Sequence, residues 1–161
     1  MKKFLSLALV FVLVLSLSSF LACNKDPKPA GDPVTVAQLW ESVKAVSGFS
    51  EMTAVPERDY MEVYGIDSTK LAESVWYMSE NPSLNADECA IFKLSDTAYA
   101  GTLAEILKGR IARQLSVAES YSPEEATKLK NAEVVTEGSF VYYCVGDNAE
   151  AMMNVIRTAN K

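Results

Sequence analysis

The chain has 161 residues, of which 49% are hydrophobic, and a formal net charge of -6. An acidic balance without clustered lysine and arginine argues against nucleic-acid binding, because phosphate contacts need such clusters. The chain has no histidine, which excludes Ser-His and Cys-His nucleophiles and every histidine metal site.

The N-terminus has the layout of a bacterial lipoprotein signal. Lys2 and Lys3 precede an apolar run over residues 4–22, and Cys23 follows a small residue. Cleavage before such a cysteine leaves it ready for lipid attachment. We therefore expect residues 1–22 to be a signal peptide and Cys23 to be lipidated. The alternative is an uncleaved anchor helix, since the run is long enough to span a bilayer.

Residues 23–33 are polar and contain three prolines, which is typical of an extended tether. Residues 34–161 suit a single domain. The expected location is the extracytoplasmic face of the cell membrane, where acyl chains such as palmitate on Cys23 would make the membrane contact.

The first half of the domain predicts one helix and two strands. Apolar side chains recur at helical spacing from residue 36 to residue 46, after Thr35 and Gln38 in a capping-box pattern. Residues 71–79 and 88–94 are rich in β-formers, and several turn formers separate them. A short extended piece near residues 49–55 is ambiguous.

The second half predicts a long helix, a short helix, a hairpin and a last helix. The long helix runs from Asp96 to about residue 120, and its apolar stripe is Leu103, Ile106, Leu107, Ile111 and Leu115. Ser122 and Glu125 are spaced as a capping box for the short helix. Residues 133–136 and 140–145 predict the hairpin.

These elements predict an α+β fold, with a mainly antiparallel sheet of about four strands in the order α-β-β-α-β-β-α. The strand at 140–145 is apolar on both alternating sets of positions. A sheet with one wet face would alternate polar and apolar residues. We therefore expect both faces of the sheet to be covered.

Several segments of the domain resemble a family of uncharacterised bacterial lipoproteins, domain of unknown function 4358. The resemblance rests on Tyr64-Gly65-Ile66-Asp67, Ala86-Asp87-Glu88, Arg110-Ile111 with Gln114, Tyr121-Ser122-Pro123-Glu124, Asn131-Ala132 and Gly138. None of these segments is a catalytic signature. The resemblance implies an anchored extracellular module with no assigned activity, and a core position for Cys89.

The candidate ligand-binding residues are Arg110, Gln114 and Tyr121. Arg110 and Gln114 are four residues apart on one helix face, and a guanidinium, an amide and a phenol together could bind a carboxylate or a sugar. The favoured interpretation is that Arg110 pairs with a local carboxylate such as Glu88 and joins helix to sheet.

Cys89 and Cys144 fall on predicted strands. They could form a disulfide if those strands are neighbours in matching register, but buried free thiols are favoured. The oxygen-bearing loop at 81–88 lacks the ordered spacing of a calcium site, so no metal or cofactor is expected. The aromatic residues Trp76, Tyr77, Tyr142 and Tyr143 could stack on sugars, although such residues more often form sheet core.

The function expected from these features is a non-catalytic protein-interaction module, with an unknown envelope protein or cell-wall component as partner. The first alternative is a lipoprotein that binds a solute or a cell-wall fragment in a pocket lined by tyrosine and arginine. The less favoured alternative is a carboxylate-based hydrolase with two acids facing each other across a cleft.

Replacement of the proposed anchor tests the location. We expect Cys23→Ala to give a soluble or unprocessed protein, because no thiol remains for the acyl chains. Membrane fractionation and the mass of the mature N-terminus measure this. A variant that stays in the membrane fraction at mature size would contradict the lipid assignment.

Overall fold

The computed structural model describes residues 34–159. The predicted signal peptide, Cys23 and the whole tether lie outside the described residues, so their roles stay predictions. None of the described helices is both long enough and apolar enough to cross a bilayer.

The described residues form an α+β fold, as predicted. The helices are α1 (Val36–Ser47), α2 (Glu57–Glu62), α3 (Ala100–Tyr121), α4 (Pro123–Lys130) and α5 (Ala149–Ala159). The strands are β1 (Met52–Ala54), β2 (Leu71–Ser79), β3 (Glu88–Leu94), β4 (Val135–Glu137) and β5 (Phe140–Val145). Short 3-10 turns precede β2 and α3.

The sheet has five strands in the spatial order β1-β2-β3-β5-β4, and every neighbouring pair is antiparallel. One strand more is present than the sequence indicated. The additional strand is β1, which has three residues and pairs with the end of β2. So short an edge strand carries almost no periodicity, which is why its sequence was ambiguous.

Helices cover both faces of the sheet, which confirms the interpretation of the apolar central strands. Ala90 and Phe92 of β3 lie in a core with α2, α3 and α4, whereas Cys89 and Ile91 lie in a core with α1 and α5. The two sets alternate along the strand because successive side chains point to opposite faces.

The capping box predicted for α1 is present. The Gln38 backbone N–H donates to Thr35 Oγ1 at 3.2 Å, and the Thr35 N–H donates to Gln38 Oε1 at 3.0 Å. Gly48 follows the helix with φ +68°, a left-handed conformation that glycine adopts without steric cost. The last apolar position of the predicted stripe, Val46, is 37% exposed instead of buried.

The capping box predicted for α4 is wrong. The Ser122 side chain makes no capping hydrogen bond. Glu125 instead accepts a hydrogen bond from the Ala86 backbone N–H at 2.6 Å. This bond ties α4 to the loop before β3 and helps to position the groove described below.

Candidate functional site

The carboxylate of Glu88 lies at the start of the central strand and has no solvent exposure. Five hydrogen bonds reach its two oxygens. Oε1 accepts from the indole N–H of Trp76 and from the hydroxyl of Tyr143, and the donors from α3 are Arg110 and Gln114. The group therefore links β2, β3, β5 and α3.

Arg110 binds this carboxylate in a two-pronged geometry. Its Nε donates to Glu88 Oε1 at 2.7 Å, and its Nη2 donates to Oε2 at 2.9 Å. The guanidinium carbon also lies 4.9 Å from the ring centre of Tyr64 and 5.1 Å from that of Trp76. The pairing of Arg110 with Glu88 that the sequence favoured is confirmed.

The electrostatics of the cluster favour a charged Arg110 and a neutral Tyr143. Burial would lower the pKa of Arg110, but hydrogen bonds to Glu88 and its charge outweigh that effect and raise this pKa. Burial and the charge of Glu88 also raise the pKa of Tyr143 well above its ordinary value. The tyrosine therefore stays a neutral hydrogen-bond donor, and Arg110 stays charged.

Gln114 completes the cluster and has one unused polar atom. Its Nε2 donates to Glu88 Oε2 at 2.9 Å, so the amide orientation is set by the carboxylate. Its Oε1 is buried without a hydrogen-bond partner, the one such side-chain atom among the described residues. A buried acceptor left unpaired costs about 1–3 kcal/mol.

A groove of about 330 Å³ opens beside this cluster, between the loop at 82–86 and the helices α3 and α4. We call it the Leu84 groove; its lining includes Tyr64, Leu84, Arg110, Arg113, Gln114 and Val117. Leu84 is 72% exposed and Val117 is 55% exposed. Its walls therefore present large apolar side chains to solvent.

The three residues proposed from the sequence have different places at this site. Arg110 and Gln114 lie together in the groove, but Glu88 already uses the charge of Arg110. Tyr121 is 81% exposed and is not part of the groove lining. Arg113, which the sequence did not single out, lines the groove, and no described carboxylate pairs with it.

The oxygen atoms of the 81–88 loop serve the fold itself. Asn85 Oδ1 accepts from the Asp87 backbone N–H at 2.8 Å, and Asp87 pairs with Lys128 Nζ at 3.2 Å. Within residues 34–159, no group of three or more candidate ligands could hold a metal ion.

A second cavity, of about 650 Å³, lies between α4 and α5. Acidic residues dominate its rim, and Lys128 forms ion pairs there with Asp87, Glu125 and Asp147 at 3.2–3.4 Å. Burial would lower the pKa of Lys128, but Glu125 and Asp87 raise it above its ordinary value. These pairs join α4 to the ends of β3 and β5.

The four aromatic residues considered for sugar stacking are core or partly core residues. Trp76, Tyr142 and Tyr143 are buried, and Tyr77 is half-buried with its ring stacked 4.3 Å from that of Trp40. Sequence reasoning missed that Trp76 and Tyr143 serve Glu88. Side chains alternate between the two faces of a strand, so the sequence shows which residues share a face within each strand. Only the register of β2 and β5 against β3 brings Trp76 and Tyr143 to one carboxylate.

With this geometry established, comparison with known families gives one match. The family model described as "Domain of unknown function (DUF4358)" matches residues 45–146. The chain belongs to this family. The match spans the whole of β1 to β5 and therefore includes Glu88, Arg110 and Gln114. No curated protein and no solved structure matches the chain.

Replacement of Glu88, at the centre of the cluster, tests how much the cluster contributes to the stability of the domain. We expect Glu88→Gln to lower the free energy of unfolding by about 3–5 kcal/mol, because it leaves the buried Arg110 charge uncompensated. Urea denaturation measures this. Glu105→Gln on α3, the helix that carries Arg110, removes a carboxylate that is largely exposed and should cost less than about 1 kcal/mol. Equal losses for the two variants would contradict the assignment.

The buried tyrosine predicts a dependence on alkaline pH. Because the pKa of Tyr143 is higher in the folded chain than in the unfolded chain, its contribution to stability is complete below about pH 10. Above that pH the unfolded chain loses the proton first, and stability falls by about 1.4 kcal/mol per pH unit. Tyr143→Phe should reduce that slope in urea titrations between neutral and alkaline pH. An unchanged dependence of stability on pH in this variant would contradict the assignment of Tyr143 as a buried, neutral phenol.

Proposed function

We propose that this protein is a lipid-anchored, extracytoplasmic binding module without catalytic activity. Its Leu84 groove receives an extended segment of another envelope protein. The N-terminal sequence pattern supports the anchor and the location. The exposed apolar side chains of the groove support the binding role.

The observation that carries the proposal is the exposure of Leu84 and Val117 in the lining of one groove. Together with Pro82 they offer an apolar surface that water solvates poorly. Such a surface beside polar groups is typical of a site for a protein partner. We therefore assign to the bound segment a large apolar side chain that packs between these residues.

The polar atoms of the groove define the remaining chemistry of the bound segment. Arg113 carries a charge that no described carboxylate neutralises, and it would pair with an acidic side chain. The proposed ligand is therefore a segment that places a large apolar residue close to a carboxylate.

A groove for a protein segment fits these residues better than a pocket for an anionic solute. Glu88 already occupies two donor atoms of Arg110, so this guanidinium offers little charge to a solute. The volume of about 330 Å³ also lies at the lower end of the range for small-molecule pockets.

The same cluster argues against a catalytic role for its carboxylate. A general acid or base must reach the reacting atoms of a substrate. Glu88 has no exposed surface and accepts five hydrogen bonds from the protein. It serves packing and not proton transfer.

Binding to an array of short synthetic peptides of varied sequence tests the proposal. We expect the purified chain to select peptides with leucine or phenylalanine close to aspartate or glutamate. Val117→Asp should weaken that binding about tenfold or more, because it places a charge against the apolar anchor. Arg113→Gln should reduce the preference for acidic peptides.

Val46→Asp is the matched control. Val46 is also an exposed valine on a helix, but it lies on α1, on the opposite side of the sheet. Its substitution should leave peptide binding unchanged. Two results would refute the protein-segment assignment. One is an equal loss of peptide binding in the Val46→Asp and Val117→Asp variants, and the other is binding of cell-wall fragments without binding of peptides.

A further inference from the structure

The two cysteines of the domain lie opposite each other on neighbouring strands. Cys89 of β3 is paired in register with Cys144 of β5. Their sulfur atoms are 3.4 Å apart as free thiols, and both side chains are buried. The structure thus supplies the two conditions that the sequence left open, adjacency of the strands and matching register.

The hydrogen-bonding pattern between β3 and β5 shows which kind of antiparallel pair the two cysteines form. The backbone N–H of Leu94 donates to the carbonyl of Ser139 at 2.7 Å, which marks a hydrogen-bonded pair of the β3–β5 ladder. Bonded and non-bonded pairs alternate in an antiparallel ladder. Cys89 is five positions before Leu94, so Cys89 and Cys144 form a non-hydrogen-bonded pair.

Non-hydrogen-bonded pairs bring side chains closest together. Their Cα atoms are separated by about 4.5 Å, within the range of about 4.4–6.8 Å that disulfides span. The sulfur atoms must approach from 3.4 Å to about 2.0 Å. Rotation of the two side chains achieves most of this, so the strands need not separate.

We propose that Cys89 and Cys144 form a disulfide that joins β3 to β5 in the mature protein. Each thiol loses its hydrogen, and the two protons and two electrons pass to a disulfide oxidant of the glutathione or oxidoreductase class. The oxidant is reduced to two thiols through a mixed disulfide with one cysteine. The oxidising compartment required for this rests on the export proposed above.

Oxidation belongs to the folding stage and not to the folded protein. Both side chains are buried among residues of the sheet and of the helices α1 and α5, Cys89 at 0% and Cys144 at 1% exposure. Cys144 also lines the cavity between α4 and α5, but so little of it is exposed that an external oxidant has poor access after folding. The hydrogen bond with Cys144 and burial raise the pKa of Cys89 well above its ordinary value, and the reactive thiolate is therefore scarce. The thiols react while β3 and β5 are pairing.

The link would close a segment of 55 residues that contains α3 and α4. Cross-linking a long segment restricts the unfolded chain and so stabilises the folded chain. This stabilisation matters most for a domain that must stay folded outside the cytoplasm, where no cytosolic reducing system breaks the disulfide.

The test is to unfold the purified full chain under reducing conditions and to refold it in an oxidising glutathione mixture. Remaining thiols are then alkylated, and the chain is cleaved after lysine and arginine. We expect mass spectrometry to find residues 71–93 linked to residues 131–157. The oxidised chain should melt about 10 °C above the same chain after reduction.

Two variants distinguish this link from other pairings. Cys23→Ala should retain the link, and Cys144→Ala should abolish both the link and the shift in melting temperature. Alkylated Cys89 and Cys144 in the refolded chain would overturn the geometric argument.

The protein isolated from its own cell envelope, alkylated before extraction, tests the mature state. The same linked peptides support the proposal. Thiols in the native protein together with a link in the refolded chain would overturn the disulfide of the mature protein. That result would place the failure in the proposed export, whereas loss of peptide binding alone would concern only the groove.

Discussion

The buried carboxylate of Glu88 is the interaction on which the rest of the domain depends. An isolated charge in a protein interior costs several kcal/mol unless partners compensate for it. The fold meets this requirement with five hydrogen bonds from β2, β5 and α3. Because Arg110 and Gln114 must both reach the same group, α3 is held at one rotation and one position on the sheet.

The Leu84 groove is a consequence of that placement. With α3 fixed by Glu88, and the loop before β3 held to α4 through Glu125 and Ala86, a gap lined by Leu84 and Val117 remains between them. The guanidinium of Arg110 is thus already paired with Glu88, and the groups left for a partner lie at the edge of the groove. This division separates the stability of the domain from its proposed binding role.

Local patterns predicted most of the elements, and long-range contacts decided the exceptions. The apolar stripe of α3 and the two-sided apolar strands were predictable because burial repeats with the period of the backbone. The capping role assigned to Glu125 was wrong because a backbone N–H from a distant loop competes for its oxygen. The pairing of Arg110 with Glu88 was predictable as a preference for a nearby acid, whereas the three other hydrogen bonds at Glu88, from Trp76, Gln114 and Tyr143, were not.

Three things follow from the sequence by itself, since each depends on neighbouring residues or on composition. They are the order of the longer elements, the chemistry that the absence of histidine excludes, and the N-terminal lipoprotein pattern. The tertiary structure alone decided that Trp76 and Tyr143 meet at one carboxylate and that Cys89 faces Cys144. Those meetings depend on strand register and helix placement. Both result from the packing of the whole core, in which residues distant in the chain contribute together.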